Sequence, residues 1–234
     1  MITHPAETRG VANHGWLQSK HTFSFADYYN PERMGFGALR VINDDSVAGG
    51  MGFGTHPHRD MEIVSIPLEG VLQHKDSEGN AHQIRKGEVQ LMSAGTGIAH
   101  SEYNASLSEP VQFLQIWVLP KKLGIKPQYE QKAFELTYGF KLVLSPDGRE
   151  ESLTINQDAF FSLGKMKASD KFSYNLKQSG NGVYVFVLKG DLSINGKAQK
   201  TRDGVGITGS EKISLLANSE VEVLIMEVPM LEQK

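Results

Sequence analysis

Short apolar or alternating runs recur along the whole chain, each closed by a Gly, Asn or Ser turn, and long helical periodicity is scarce. In the first half this pattern predicts strands over 38–43, 56–68, 71–75, 82–84, 88–92, 100–103 and 112–119. Turns are predicted at Glu69-Gly70, Ser77-Glu78-Gly79-Asn80, Lys86-Gly87 and Ala94-Gly95-Thr96-Gly97, where small or amide residues accept tight or positive-φ backbone. In the second half strands are expected over 183–188, 190–195, 205–207, 213–216 and 221–228. Between the two, residues 120–134 turn polar, with Pro120, Lys121, Lys122, Gly124 and Pro127. That stretch reads as a crossing between domains, its lysine pair solvated. Leu68-Glu69-Gly70 and Leu188-Lys189-Gly190 each end an apolar run on a glycine and lead into another strand. The pattern predicts an all-β fold of sandwich or barrel type in two similar copies, divided as 1–133 and 134–234.

Composition narrows the function classes. The chain has 234 residues, 39% hydrophobic and 22% charged, with a formal charge of −3 and a pI near 6.2. That balance gives no general attraction to nucleic acid or to anionic lipid. No apolar stretch approaches the ~18–20 residues of a membrane span, and Met1–Gly10 is polar, without the apolar core of a secretory signal. With no cysteine, disulfides and thiolate ligands drop out, and a cytoplasmic address is expected. The eight histidines are His4, His14, His21, His56, His58, His74, His82 and His100, and none follows residue 100. Imidazole chemistry therefore belongs to the first half.

The stretch Gly50-Met51-Gly52-Phe53-Gly54-Thr55-His56-Pro57-His58 places two histidines two residues apart. On a strand such residues share a face, about 6.6 Å apart along the backbone, and their side chains can converge on one ion. Alone, a His-x-His pair is as easily two surface histidines. A second segment, Ala94-Gly95-Thr96-Gly97-Ile98-Ala99-His100-Ser101-Glu102, again sets a histidine and a carboxylate two apart after a glycine-rich turn. Three nitrogens and one oxygen, from His56, His58, His100 and Glu102, make a compact site for a divalent first-row metal. His14 and His21 are expected away from this site, and His74 and His82 are expected in solvent around a polar turn. Phe53 and Arg59 neighbour the ligands and are candidates for the pocket mouth; core packing is the alternative for Phe53, a solvated charge for Arg59. Gln115 and Trp117 share strand parity, Gln115 as a cavity candidate and Trp117 as core.

His56-x-His58 with Glu62 four residues on, Gly87 opening a strand, and His100 with Asn104 four residues on resemble the two motifs of the cupins. Ser93 stands where many cupins carry proline, and the segment before His100 is long. With His14-Gly15-Trp16, Thr22-Phe23-Ser24-Phe25, Thr55-His56-Pro57-His58-Arg59, His100-Ser101-Glu102 and Gln115-Ile116-Trp117, the chain resembles the pirin family from about residue 10 to 120. The resemblance implies a bicupin of two β-barrels, with metal only in the first. It implies Glu102, and not Glu62, as the carboxylate ligand, leaving Glu62 as a supporting or structural partner. It further implies a metal-dependent enzyme, iron(II) first among candidates and nickel, zinc, copper, cobalt or manganese after it. Such an enzyme would cleave flavonols such as quercetin with O₂ and release carbon monoxide, Glu102 taking the hydroxyl proton. The alternative implied by the same family is an iron-dependent, redox-sensing regulator that binds a protein partner.

Overall fold

The structure is a computed structural model that describes residues 1–231. Among the described residues it holds 22 strands and two three-residue 3-10 helices, so the chain is all-β, as its turn spacing predicts. The strands fall into two matching sets of sheets. In the first, a seven-stranded sheet runs in the order Gln128–Ala133, Glu88–Ser93, Glu62–Glu69, Val111–Val118, Leu39–Val47, Leu17–His21, Gly10–Asn13. A four-stranded sheet of Gly52–His58, Ile98–Asn104, Val71–Asp76 and Ala81–Arg85 closes over it. The second set repeats this plan. Its seven strands run Ile2–His4, Gly204–Ile207, Asn181–Lys189, Val221–Pro229, Phe160–Met166, Gly139–Ser145, Leu153–Thr154. Its four are Lys171–Asn175, Lys212–Ala217, Leu192–Ile194 and Lys197–Gln199. Two barrels of one topology make the protein a bicupin.

Two segments depart from the sequence pattern. The predicted strand over 56–68 is two strands, Gly52–His58 and Glu62–Glu69, that lie in different sheets. The chain breaks at Asp60, which takes a positive φ of 48°, and a polar residue of this kind tolerates that left-handed conformation. Residues 128–133, read as part of a polar crossing, pair instead with Glu88–Ser93 as an edge strand. Ile2–His4 does the reverse and pairs with Gly204–Ile207 at the edge of the second sheet. Each large sheet is thus completed by a strand from the stretch preceding the other half.

Alternation along the strands sorts side chains to two faces. On Glu62–Glu69 and Val111–Val118, Val64, Ile66, Leu114 and Ile116 turn outward and meet Phe161, Leu163, Phe186, Leu188, Leu224 and Met226 of the other large sheet. The largest core cluster therefore lies between the two seven-stranded sheets. The opposite parity faces into each barrel, and there the two halves diverge. The second barrel is filled by Tyr174, Val185, Ile194, Ile213, Leu215 and their neighbours. Where the first barrel places the strands of His56, His58 and His100, the second has Lys171–Asn175 and Lys212–Ala217, whose inward residues are aromatic or aliphatic.

Among the described residues, the one buried carboxylate of that second interior is fully partnered. Glu227 accepts hydrogen bonds from the Tyr174 hydroxyl at 2.8 Å, from the Lys177 and Gln178 amides at 2.8 Å each, and from Asn181 Nδ2 at 3.0 Å. Removing it strands several buried donors, each costing ~1–3 kcal/mol when unpaired. Glu227→Ala is expected to destabilise the protein by about 3 kcal/mol or more in denaturant unfolding, while Tyr174→Phe, which removes one donor, costs about 1 kcal/mol.

Candidate metal centre

The first barrel keeps a cavity of about 360 Å³, and its position follows from two strands. Gly52–His58 and Ile98–Asn104 pair antiparallel with His100 opposite His56, and a bulge falls between His100 and Glu102. A side chain on Gly52 would collide with the Glu102 carbonyl, so glycine there permits the close approach of the two backbones. On Ile98–Asn104 burial alternates, with His100, Glu102 and Asn104 inward and Tyr103 exposed.

Three imidazoles meet at this point. The ring centroids of His56, His58 and His100 lie 4.5–4.9 Å apart, and one nitrogen from each falls within 4.8 Å of the others. His56 Nδ1 lies 2.8 Å from the Gly54 carbonyl and donates to it, which leaves Nε2 with its lone pair. His100 Nε2 is buried and has no hydrogen-bond partner. A buried nitrogen with nothing to bond is costly, and a cation among three lone pairs removes that cost. The residues present therefore fit a divalent ion. Burial holds the His100 ring proton affinity down, to a pKa of about 2, with the neighbouring His56, His58 and His74 adding to it. Burial, then His56, lowers His58 to about 4.

Glu102 sits deeper in the same interior. Its carboxylate accepts from Ser65 Oγ at 3.1 Å and from Gln115 Nε2 at 2.6 Å. It comes within 4.8 Å of His100 and His74 donor atoms rather than of all three clustered rings. Burial raises its pKa to about 7, helped by the nearby Asp45 and opposed by Ser65 and Gln115.

Several residues lie elsewhere than the sequence suggests. Glu62 does not reach the cavity. It shares outward parity with Val64, accepts from Ser93 Oγ at 2.8 Å and from the Asn156 amide at 3.1 Å, and so ties the two halves together. Arg59 stands outside, exposed, with its Nε donating to the Thr96 carbonyl at 3.1 Å. Phe53 and Gln115 both line the cavity. His14 and His21, expected away from the site, line it too: His21 lies on Leu17–His21, part of the barrel wall, and His14 on the turn that leads into that strand. Trp117, read as core, is half-buried and flanks the cavity, 5.0 Å from the His58 ring. His74, expected in solvent, is completely buried; His82 is exposed and stacks on Tyr129 at 5.1 Å.

The cavity also uses residues that sequence reasoning passed over. Trp16 and Phe25 join Phe53 and Trp117 in an aromatic lining, and Asn43 and Asp45 give it a polar strip. Asp45 is 5% exposed and its Oδ1 is buried without a partner. The signal was present in the strand Leu39–Val47, where an acid and an amide occupy inward positions beside Val41 and Val47. Burial raises the Asp45 pKa to about 7, against a hydrogen bond from Ser19.

A bicupin with a histidine cluster in one barrel and a solid second barrel defines the class. Residues 4–118 match the family model described as Pirin, and residues 142–228 match the one described as quercetinase C-terminal cupin domain. The quercetin 2,3-dioxygenase of Escherichia coli K12 is 50% identical over 225 residues, covering 96% of each chain. A pirin-like protein of Caulobacter vibrioides is 38% identical over 95% of this chain and 97% of its own. The crystal structure of the bacterial pirin YhhW from Escherichia coli in complex with nickel(II) superposes with a TM-score of 0.95 at 47% identity, covering 98% of this chain and 99% of that one. The chain belongs to the pirin family.

The raised Asp45 pKa has a consequence for stability. A carboxyl that holds its proton more tightly when folded stabilises the fold fully below its unfolded value of 3.8, and this contribution is lost as pH rises through about 7. Thermal melts of the metal-free protein between about pH 5 and about pH 8 are expected to show wild type losing more stability than Asp45→Asn, which cannot ionise. Parallel slopes would mean that Asp45 titrates as it does in water.

Proposed function

We propose that this chain holds one divalent ion, iron(II) first among candidates, at His56, His58, His100 and Glu102, and with it cleaves flavonols such as quercetin with O₂. The observation that carries the reading is the convergence of three imidazoles, one with an unpartnered buried nitrogen, at the end of an aromatic-walled cavity. The family supports it: a relative 50% identical over 96% of both chains bears the name quercetin 2,3-dioxygenase, and a structural neighbour is in complex with nickel(II). Neutral imidazole and carboxylate ligands suit iron, nickel, copper, cobalt, manganese or zinc alike, so supply in the cell selects among them.

A bound divalent ion supplies Lewis acidity at a chelating hydroxyl–carbonyl pair and an electronic partner for O₂. The chain's own residues do the rest. Trp16, Phe25, Phe53 and Trp117 flank the cavity and bind planar rings by stacking and edge contact. The open Oδ1 of Asp45 accepts a hydrogen bond from a phenolic hydroxyl away from the chelating pair. Glu102, buried and with a pKa near 7, takes the proton of the chelating hydroxyl at a carboxylate oxygen. Ser65 and Gln115 hold that carboxylate in place. The overall change is balanced: both oxygens of O₂ enter the flavonol, its central ring opens, and carbon monoxide leaves.

Metal-free protein loaded anaerobically with iron(II), nickel, cobalt, copper or manganese, then given quercetin and O₂, is expected to consume the two in equal amounts and release carbon monoxide. No quercetin loss with any of these ions overturns the activity. Glu102→Ala is expected to lower kcat by about 100-fold or more. Glu62→Ala, facing the other half, is expected to keep its ion by elemental analysis; full loss of the ion in that variant would make Glu62 the ligand. An ion that is bound without turnover, yet governs capture of a protein partner by its oxidation state, would favour the regulatory alternative.

A further inference from the structure

Beside the clustered rings, the strand Val71–Asp76 turns His74 and Asp76 into the same interior, both buried. In the antiparallel pairing His74 stands opposite Glu102, and Asp76 stands opposite His100. We propose that Asp76 and His74 form a relay that fixes the tautomer of His100 and thereby aims its Nε2 lone pair at the ion. Both are positioning residues, and the inference rests on the metal centre proposed above.

The relay is anchored at Asp76. Asp76 Oδ1 accepts from the Glu78 and Asn80 amides at 3.0 Å each, and Oδ2 accepts from Asn80 Nδ2 at 2.9 Å. The Ser77-Glu78-Gly79-Asn80 turn thus wraps the carboxylate in donors and holds it ionised and immobile. Its Oδ2 also lies 3.0 Å from His74 Nε2. An ionised carboxylate only accepts, so the hydrogen sits on His74 Nε2. Neutral His74 then presents a lone pair on Nδ1, and this atom is 3.4 Å from His100 Nδ1. Two lone pairs do not face each other in a buried site, so His100 Nδ1 carries the hydrogen and donates it. That leaves the lone pair of His100 on Nε2, the one buried nitrogen of the cluster without a partner.

Each bond in the chain dictates the next. Without it, a histidine ring carries its hydrogen more readily on Nε2, where it would block the ion. Tyr129 covers the outer side of His74, ring centroids 4.8 Å apart, so water has no ready path to replace the contact. Partners of this kind are worth about 10–100-fold in metal affinity. His74, His100 and Glu102 also bring donor atoms within 4.8 Å of one another, so a second ion bound through His74 is the competing use of the same atoms.

The test reads the hydrogens and the ion separately. Nitrogen-15 NMR of histidine-labelled, metal-free protein is expected to show His74 as the Nε2–H tautomer and His100 as the Nδ1–H tautomer. In His74→Leu the His100 hydrogen should shift to Nε2, and nickel(II) affinity should fall about 10–100-fold. His74→Gln keeps an acceptor toward His100 and a donor toward Asp76, so it should retain the Nδ1–H tautomer and lose less than about tenfold. Finding His100 as Nε2–H in wild type overturns the relay whatever the ion does. So does a His74→Gln variant as weak as His74→Leu, or a second equivalent of nickel(II) that wild type binds and His74→Leu loses. If wild type shows the stated tautomers yet binds no nickel(II), the relay stands and the metal centre falls.

Discussion

The first barrel depends on one constraint: its smaller sheet turns polar, nitrogen-bearing side chains inward, where a β-barrel ordinarily turns hydrocarbon. Alternation along a strand gives every second residue to the interior. On Ile98–Asn104 and Val71–Asp76 those residues are His100, Glu102, His74 and Asp76. Burying so many polar groups is unfavourable unless each has a partner. The interior answers with Ser65, Gln115, Asn80 and the His74–Asp76 bond. At the cavity it leaves unpartnered one nitrogen of His100 at the ring cluster, one oxygen of Asp45 on the polar strip and the Trp117 indole nitrogen; away from the cavity the Gln90 amide is also buried without a partner.

The second barrel shows the same topology solving the packing problem in the usual way. Phe172, Tyr174, Ile213 and Leu215 fill or flank the space at the corresponding strands, and its buried acid, Glu227, is tied off by four donors. A filled core contributes stability at ~25 cal/mol per Å² of apolar surface removed from water. A hollow one forgoes part of that. The face-to-face packing of the two large sheets, where most of the largest cluster lies, lets a solid half support a functional one. Glu62 belongs to that support, since its bond to the Asn156 amide crosses between halves.

Much of this was legible in the chain. Glycine, asparagine and serine turns between short apolar runs announce an all-β fold, because such residues close tight turns cheaply. Spacing by two within His56-Pro57-His58 and His100-Ser101-Glu102 implies shared faces, since a strand has no other period. Confinement of all histidine to the first hundred residues points to one chemically active half. Local periodicity determined these features, and they needed no knowledge of what lies opposite.

Tertiary structure alone decided the rest. Whether His74 meets water or another imidazole depends on which strand pairs with Ile98–Asn104, and pairing is set by contacts remote in sequence. Read locally, His74 and His82 flank one polar turn and look alike; in the fold one is sealed and the other exposed. The same holds for Asp45, Trp117 and His21, which become cavity walls only when the large sheet curls to face the small one. It holds as well for the edge strands: Ile2–His4 is captured by the sheet of the other half, and Gln128–Ala133 folds back from the crossing onto the edge of the first sheet. A sequence states which way each side chain turns from its own strand, but what it meets there is fixed by the assembled barrel.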